Sequence, residues 1–293
     1  MPTAVVTRRT SHIDMADVTG GRGLRLSGAA RDEVSDRGVV ASASVDATLD
    51  RAQTLVSLAT APADERVGAL VGLTVGRGFR DAVDGVLSSP VDAASPLYLL
   101  LDDLPVATLI SGYALLYRND PAMRVVDPSR LQADLCAGWA TEGTMLRAFR
   151  STGRIPVPMG PPAARGAVDL GLPPGAMRRE RVVEVDDAGA VSAMFRDTHV
   201  SLDGDATVLH EYALTATLDT RTLVLSDAVA TPVVLPWPEC PAAAASASRL
   251  DGHSVDELRD LVRREFKGTS TCTHLNDLLR SLADLRVLVS LRG

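Results

Sequence analysis

The 293-residue chain is poor in aromatic residues, nearly devoid of lysine and sparing with cysteine. Two Trp, four Tyr and four Phe are too few for the stacking platforms that hold single-stranded nucleic acid, and a net charge of −7 opposes binding to a phosphate backbone. Lys267 is the single lysine among 30 basic residues, an arginine bias expected of a GC-rich coding sequence that says little about chemistry. The longest uncharged run, Leu104 to Tyr117, has fourteen residues, against the roughly 20 needed to cross a bilayer. Arg8, Arg9, Asp14 and Asp17 break up any leader-like apolar stretch. Three cysteines, an odd number, fit a reducing cytoplasm better than a disulfide framework. The expectation is a cytoplasmic protein with a small-molecule ligand and neither nucleic acid nor membrane as partner; homo-oligomerisation stays open.

What is present is a faint internal repeat. Arg8-Arg9 before Ile13-Asp14 resembles Arg178-Arg179 before Val183-Glu184, and Gly28–Asp32 (GAARD) resembles Ala193–Asp197 (AMFRD). Val45–Asp50 (VDATLD) answers to Leu214–Asp219 (LTATLD), and Leu70-Val71-Gly72 to Leu250-Asp251-Gly252. Preserved order with a slowly growing offset is what two copies separated by loop insertions produce. Val39–Leu49, Leu209–Leu218, Thr222–Leu225 and Val229–Leu235 carry the alternation and β-branching of strands. Ala242–Leu250 reads as an Ala-rich helix, Ser254 with Glu257 as a capping box for a helix running to about Phe266, and Leu275, Leu278, Leu279 and Leu282 as one face of a terminal helix. Ser129–Ser151 also reads as helical, and Ile155–Gly175 is too crowded with proline and glycine for regular structure. The expected fold is α+β and internally duplicated: two lobes, each a small antiparallel sheet with helices on one face. The first lobe spans residues 1–126, a helix and linker 127–176, and the second lobe 177–293.

The candidate chemistry sits mostly in the second lobe. Cys272-Thr273-His274 falls where a helix starts, so the Cys272 sulfur would feel unpaired N–H groups that favour thiolate. Cys240 ends the preceding strand, and His210 leads a long strand with Glu211 on its opposite face. Converging, Cys240, Cys272 and His274, with His210 nearby, would make a soft set suited to zinc or iron. No C-x-x-C occurs, and two other readings stand beside the metal: a thiolate–imidazole pair acting as nucleophile and base, or cysteines that are simply buried packing residues. His12 and Asp14 share one face of an extended segment, where a carboxylate raises imidazole basicity for acid–base work. The catalytic candidates are therefore His12, Asp14, His210 and Glu211, with the first lobe, which lacks the sulfur ligands, contributing His12 and Asp14 to a cleft between lobes. Asp102-Asp103 reads as a helix's polar face, His199 as a strand-end residue and His253 as solvated.

The runs Arg8–Met15 (RRTSHIDM), Leu101–Pro105, Ile110–Ala114, Cys136–Trp139 (CAGW), Met177-Arg178-Arg179 and Cys272–Leu275 (CTHL) resemble a bacterial domain-of-unknown-function family, number 2889, over nearly the whole chain. His210-Glu211-Tyr212 stands where that family has His-Asp-Met, and Thr271 where it has glycine. The resemblance implies actinobacterial or proteobacterial catabolism of acyl-CoA, aromatic or terpenoid compounds, and no mechanism. The last third is also similar in element order to iron–sulfur scaffold proteins, which cluster cysteines and a histidine at one end. An enzyme of small-molecule catabolism leads; a metal-binding scaffold and a non-catalytic binding protein are the alternatives.

Overall fold

The computed structural model describes residues 5–18, 23–117, 132–158 and 171–292. Four strands open the chain, β1 (Val6–Asp17), β2 (Gly23–Val34), β3 (Gly38–Asp50) and β4 (Leu55–Ala61). Helices α1 (Phe79–Val86), α2 (Pro90–Ala93), α3 (Pro96–Tyr117) and α4 (Thr144–Thr152) follow. Four further strands, β5 (Met177–Asp186), β6 (Ala190–Val200), β7 (Ala206–Leu218) and β8 (Leu225–Val234), precede a 3₁₀ segment, Cys240–Leu250, and helices α5 (Leu258–Glu265), α6 (Thr273–Ser281) and α7 (Leu285–Ser290).

The fold is α+β, with all eight strands in one antiparallel sheet of order β4-β3-β2-β1-β5-β6-β7-β8. Two small sheets were expected; instead β1 and β5 pair at the centre and close what would have been two edges, which removes two rows of unpaired backbone groups. The registers on either side of this seam run in parallel. Arg9 lies opposite Val183 and Ile13 opposite Arg179. The β2–β3 ladder slips after Asp32 and the β6–β7 ladder after Asp197. Isolated bridges Thr54–Thr74 and Val224–Ser254 close the far ends.

Alternation decides which face the helices cover. In β1, Thr7, Arg9, Ser11, Ile13 and Met15 are buried while Arg8, Thr10, His12 and Asp14 are not; β5 alternates likewise from Met177. Helices lie on the buried side, over two apolar clusters. One, centred on Leu26, Val45, Leu49, Leu100, Leu104 and Ile110, lies between β1–β4 and α3. The other, centred on Val183, Phe195, Leu214, Leu250, Leu275 and Leu279, lies between β5–β8 and the C-terminal helices. Gly28 admits α3 to the sheet: a Cβ there would stand 3.2 Å from Leu100 Cδ2 and 3.0 Å from the His12 carbonyl oxygen. The stretch Pro96–Ala114 of α3 is long and apolar enough to cross a membrane, but most of it is buried inside this fold.

Several expectations about elements change. Ala242–Leu250 is 3₁₀ rather than α-helical, wrapping against β8. Of the helix expected over 129–151, the described part holds α4 and a short 3₁₀ turn, Ala137–Trp139, and residues 129–131 lie outside the described residues. Asp102 and Asp103 are 3% exposed, not a polar face. Asp103 accepts from Arg181 at 2.8 Å, and Asp102 is held by Arg280, with Arg263 at 3.4 Å. Burial pushes the Asp102 pKa up, and the arginines around it, Arg280 foremost, more than reverse this, keeping it below the carboxylate range. Between helices and sheet, Arg9 holds Asp32 through two bonds of 2.6 and 2.7 Å and faces Asp284 at 3.1 Å. Such buried pairs add little net stability, but removing one partner strands the other at a cost of about 3–5 kcal/mol.

Candidate active site

Three neighbouring strands set Arg179, Asp197 and His210 in a row on the helix-covered face. Arg179 in β5 pairs in register with Asp197 in β6, which pairs with His210 in β7. Arg179 Nε lies 3.2 Å from Asp197 Oδ1, and His210 Nδ1 lies 3.3 Å from Asp197 Oδ2. All three side chains are at least 98% buried. Directly after Asp197 the register shifts by one residue, and pairing resumes at Thr198 opposite Val208; bulges of this kind re-aim side chains beside functional sites.

Helix α6 brings the second imidazole. Cys272 is its N-cap in extended conformation, and two residues later the His274 ring stacks on His210, with centroids 3.8 Å apart and planes 18° from parallel. Phe195 flanks His274 on the far side at 6.2 Å, and Tyr113 from α3 meets His210 edge-on at 5.5 Å. The His274 Nδ1 side faces Cys272 Sγ at 3.8 Å and Thr273 Oγ1 at 3.5 Å, whereas His274 Nε2 is buried with no hydrogen-bond partner. Burial, then His210 and Arg179, hold the His274 pKa well below the ordinary histidine value, so the ring is neutral at pH 7.

These imidazoles form the polar end of a cavity of about 320 Å³. Its walls include Ile110 and Tyr113 of α3, Trp139, Met145, Leu235, Trp237 and all three cysteines. Gly138 keeps one wall open: a Cβ there would stand 2.7 Å from Cys240 Sγ and 2.9 Å from Trp237 Cδ1.

The expected residues divide sharply. Cys240, Cys272, His210 and His274 line this one cavity. The three donors whose atoms lie within 4.8 Å of one another, however, are Asp197, His210 and His274, among the described residues. The thiolate expected at Cys272 is corrected: burial pushes its thiol up to about 12, outweighing the N–H groups of Leu275 and His274 that favour the anion. Cys240 is likewise pushed up to about 12 by burial. Glu211 points to the opposite face, where it takes two bonds from Arg196 at 2.9 and 3.0 Å. His12 and Asp14 also lie on that open face; Asp14 is gripped by Arg178 at 2.6 and 2.8 Å. Burial lowers the His12 pKa more than Asp14 raises it. The cleft expected between lobes, lined by His12 and Asp14 together with the cysteines, does not form, because successive residues of a strand face opposite sides of the sheet. His199, next to last in β6, is the strand-end residue expected and is buried, and His253 is the partly exposed partner of Glu257 at 3.4 Å.

Asp197 and Tyr113 are the site residues that sequence reasoning missed. A signal for Asp197 existed, since it occupies in AMFRD the place of Asp32 in GAARD. Pairing Arg9 with Asp32 would have paired Arg179 with Asp197 and brought the carboxylate beside His210.

Fold and site together define a one-sided eight-stranded sheet with a buried carboxylate and two imidazoles at the end of an apolar pocket. The sequence pattern of a family of unknown function, DUF2889, matches residues 176–288, the part of the chain that carries Asp197, His210, Cys272 and His274. No curated protein and no solved structure matches the chain.

Proposed function

We propose that the chain is a small-molecule enzyme that performs acid–base chemistry on an apolar substrate held in this cavity. The observation that carries the proposal is the Asp197–His210–His274 group, whose two imidazoles line a mainly apolar pocket with Trp139, Trp237 and α3. Ligand sites are commonly apolar clefts with a few convergent polar groups. His274, neutral and with Nε2 unpaired, offers a nitrogen lone pair at the site. The Asp197 carboxylate lies beside the His210 ring, its Oδ2 3.3 Å from Nδ1. Acyl-CoA, aromatic and terpenoid compounds are the substrate classes to test, in line with a cytoplasmic, catabolic setting; three free, buried cysteines suit a reducing compartment. Buried and held as thiols, Cys240 and Cys272 serve as wall in this reading, not as nucleophile.

We also infer that the halves descend from one duplicated unit. Matching slips after Asp32 and Asp197, matching bridges and the paired arginines Arg9 and Arg179 support this. Profiles built separately from relatives of each half should align with Arg9 on Arg179; an alignment no better than chance would end the inference.

The enzyme reading is tested by incubating the protein with representatives of the three substrate classes and following product by mass spectrometry, with Trp139 and Trp237 fluorescence reporting binding. Turnover that disappears in His210→Ala while binding persists supports it. Binding without turnover for every class would leave the second reading, a non-catalytic carrier of apolar ligands, which the apolar pocket wall favours.

A further inference from the structure

We infer that Asp197, His210 and His274 form a site for one divalent transition-metal ion, with a coordination position open to the cavity. The inference deepens the reading of this pocket as the functional site, but binding of an ion is measurable whether or not the protein turns anything over.

The chemistry of the donor set comes first. One carboxylate and two imidazoles are the ligands of catalytic zinc sites and of mononuclear non-haem iron sites, both of which leave room for water or substrate. The three donor atoms lie within 4.8 Å of one another, and their residues are all buried. The spacing inside the group is specific. Asp197 Oδ2 and His210 Nδ1 are 3.3 Å apart, yet neither makes a hydrogen bond of acceptable geometry. Two ligands bound at about 2.0–2.1 Å at the tetrahedral angle stand about 3.3 Å apart. The pair is thus spaced as neighbouring ligands of one ion and not aligned to share a proton. A further buried nitrogen, His274 Nε2, has no partner either. A buried polar atom without a partner calls for an explanation, and a bound ion is one of the usual ones.

The surroundings are also those of a metal centre. Arg179 Nε faces Asp197 Oδ1 at 3.2 Å as a charge contact, on the side away from the Oδ2 that lies by His210; outer groups of this kind orient ligands. Its positive charge is offset by Asp277, whose Oδ2 lies 3.4 Å from Arg179 Nη1. Two neutral imidazoles and one carboxylate would leave an M²⁺ ion with one net positive charge, enough to polarise a bound water or a substrate oxygen. Loading requires the His274 ring to tilt out of its 18° stack on His210. The sulfur atoms of Cys240 and Cys272 line the cavity outside the three-donor group, so the ion would be bound by nitrogen and oxygen.

The test is titration of the metal-free full-length protein with Co²⁺, followed by its visible absorption, and then competition with Zn²⁺. One equivalent should bind, with visible bands and no sulfur-to-metal charge-transfer band. Affinity should fall at least about 10-fold in Asp197→Asn and in His274→Gln and stay within about twofold in Cys240→Ser. X-ray absorption of the Co²⁺-loaded wild type needs no variant to fold; it should give nitrogen and oxygen neighbours with imidazole scattering. No stoichiometric binding, sulfur among the neighbours, or bands that survive Asp197→Asn unchanged in a folded variant would each overturn the inference. Binding without turnover on any substrate would overturn the enzyme reading and leave this one standing.

Discussion

The two halves of the sheet share a framework and differ in chemistry. Both set a buried arginine of the central strand against an aspartate of the next strand, Arg9 with Asp32 and Arg179 with Asp197, and both slip register directly after that aspartate. Opposite Asp197 stands His210; opposite Asp32 stands Ala41. Above the first pair, Arg9 donates to the Ala94 carbonyl and faces Asp284, which accepts from Arg259 at 2.5 Å, so charged groups meet one another there. Above the second, His274 leaves a nitrogen unpaired beside a cavity. The Arg–Asp pair is thus part of the framework in both halves, and the imidazoles mark the second pair as the candidate site.

His210→Ala makes the second half resemble the first at this position. Losing an acid–base group of this kind typically costs 10²–10⁴-fold in turnover, so activity should fall by about that much while Ala41→Ser leaves it unchanged; equal losses in both would erase the contrast. Arg9→Leu strands Asp32, while Asp284 keeps Arg259, and urea unfolding should show a loss of about 3–5 kcal/mol, with ligand-induced Trp fluorescence retained. A loss under about 1 kcal/mol would mean the framework pair is dispensable. Gly138→Ala forces a methyl group against Cys240 and Trp237 and should cost about 1–3 kcal/mol by overpacking. Adding Cys240→Ala should restore part of it, since the space belongs to the second half's cavity.

The smallest effect is alkaline. The Cys240 thiol, pushed up to about 12 in the folded chain by burial, ionises near 8.5 when unfolded. The stability it confers is complete below about pH 8.5 and is lost as pH rises towards 12. Unfolding followed from pH 7 to 10.5 should therefore show a shallower decline in Cys240→Ala than in the wild type, and identical slopes would contradict the burial of this thiol.

Much of the sheet was legible from local pattern. The alternation of Val39–Leu49 and Leu209–Leu218 marks β3 and β7, and the i, i+3, i+4 leucines from Leu275 mark the buried face of α6. Ser254 does cap a turn, accepting from Asp256 N, although a 3₁₀ turn intervenes before α5. Arg8-Arg9, GAARD and VDATLD and their counterparts lie on strands in equivalent registers, whereas Leu70–Gly72 and Leu250–Gly252 lie at the ends of 3₁₀ segments. Asp102-Asp103 was misread because two charges in a helix are most simply placed in water; Leu99, Leu100, Leu101 and Leu104 around them are all buried and left no polar face to carry them. His12 and Asp14 were correctly placed on one face of a strand, but nothing local tells which face of a strand the helices will cover.

Composition and periodicity settled what could be settled within a few residues: strand against helix, which residues alternate together, and that His274 and Cys272 sit at a helix start. Those properties follow from backbone geometry and side-chain period. The joining of β1 to β5, the side of the sheet that is buried, and the meeting of Asp197, His210 and His274 were decided by tertiary structure alone. They depend on long-range registers and on helices folding back across the sheet, where desolvation fixes which imidazoles stay neutral and which carboxylates keep an arginine.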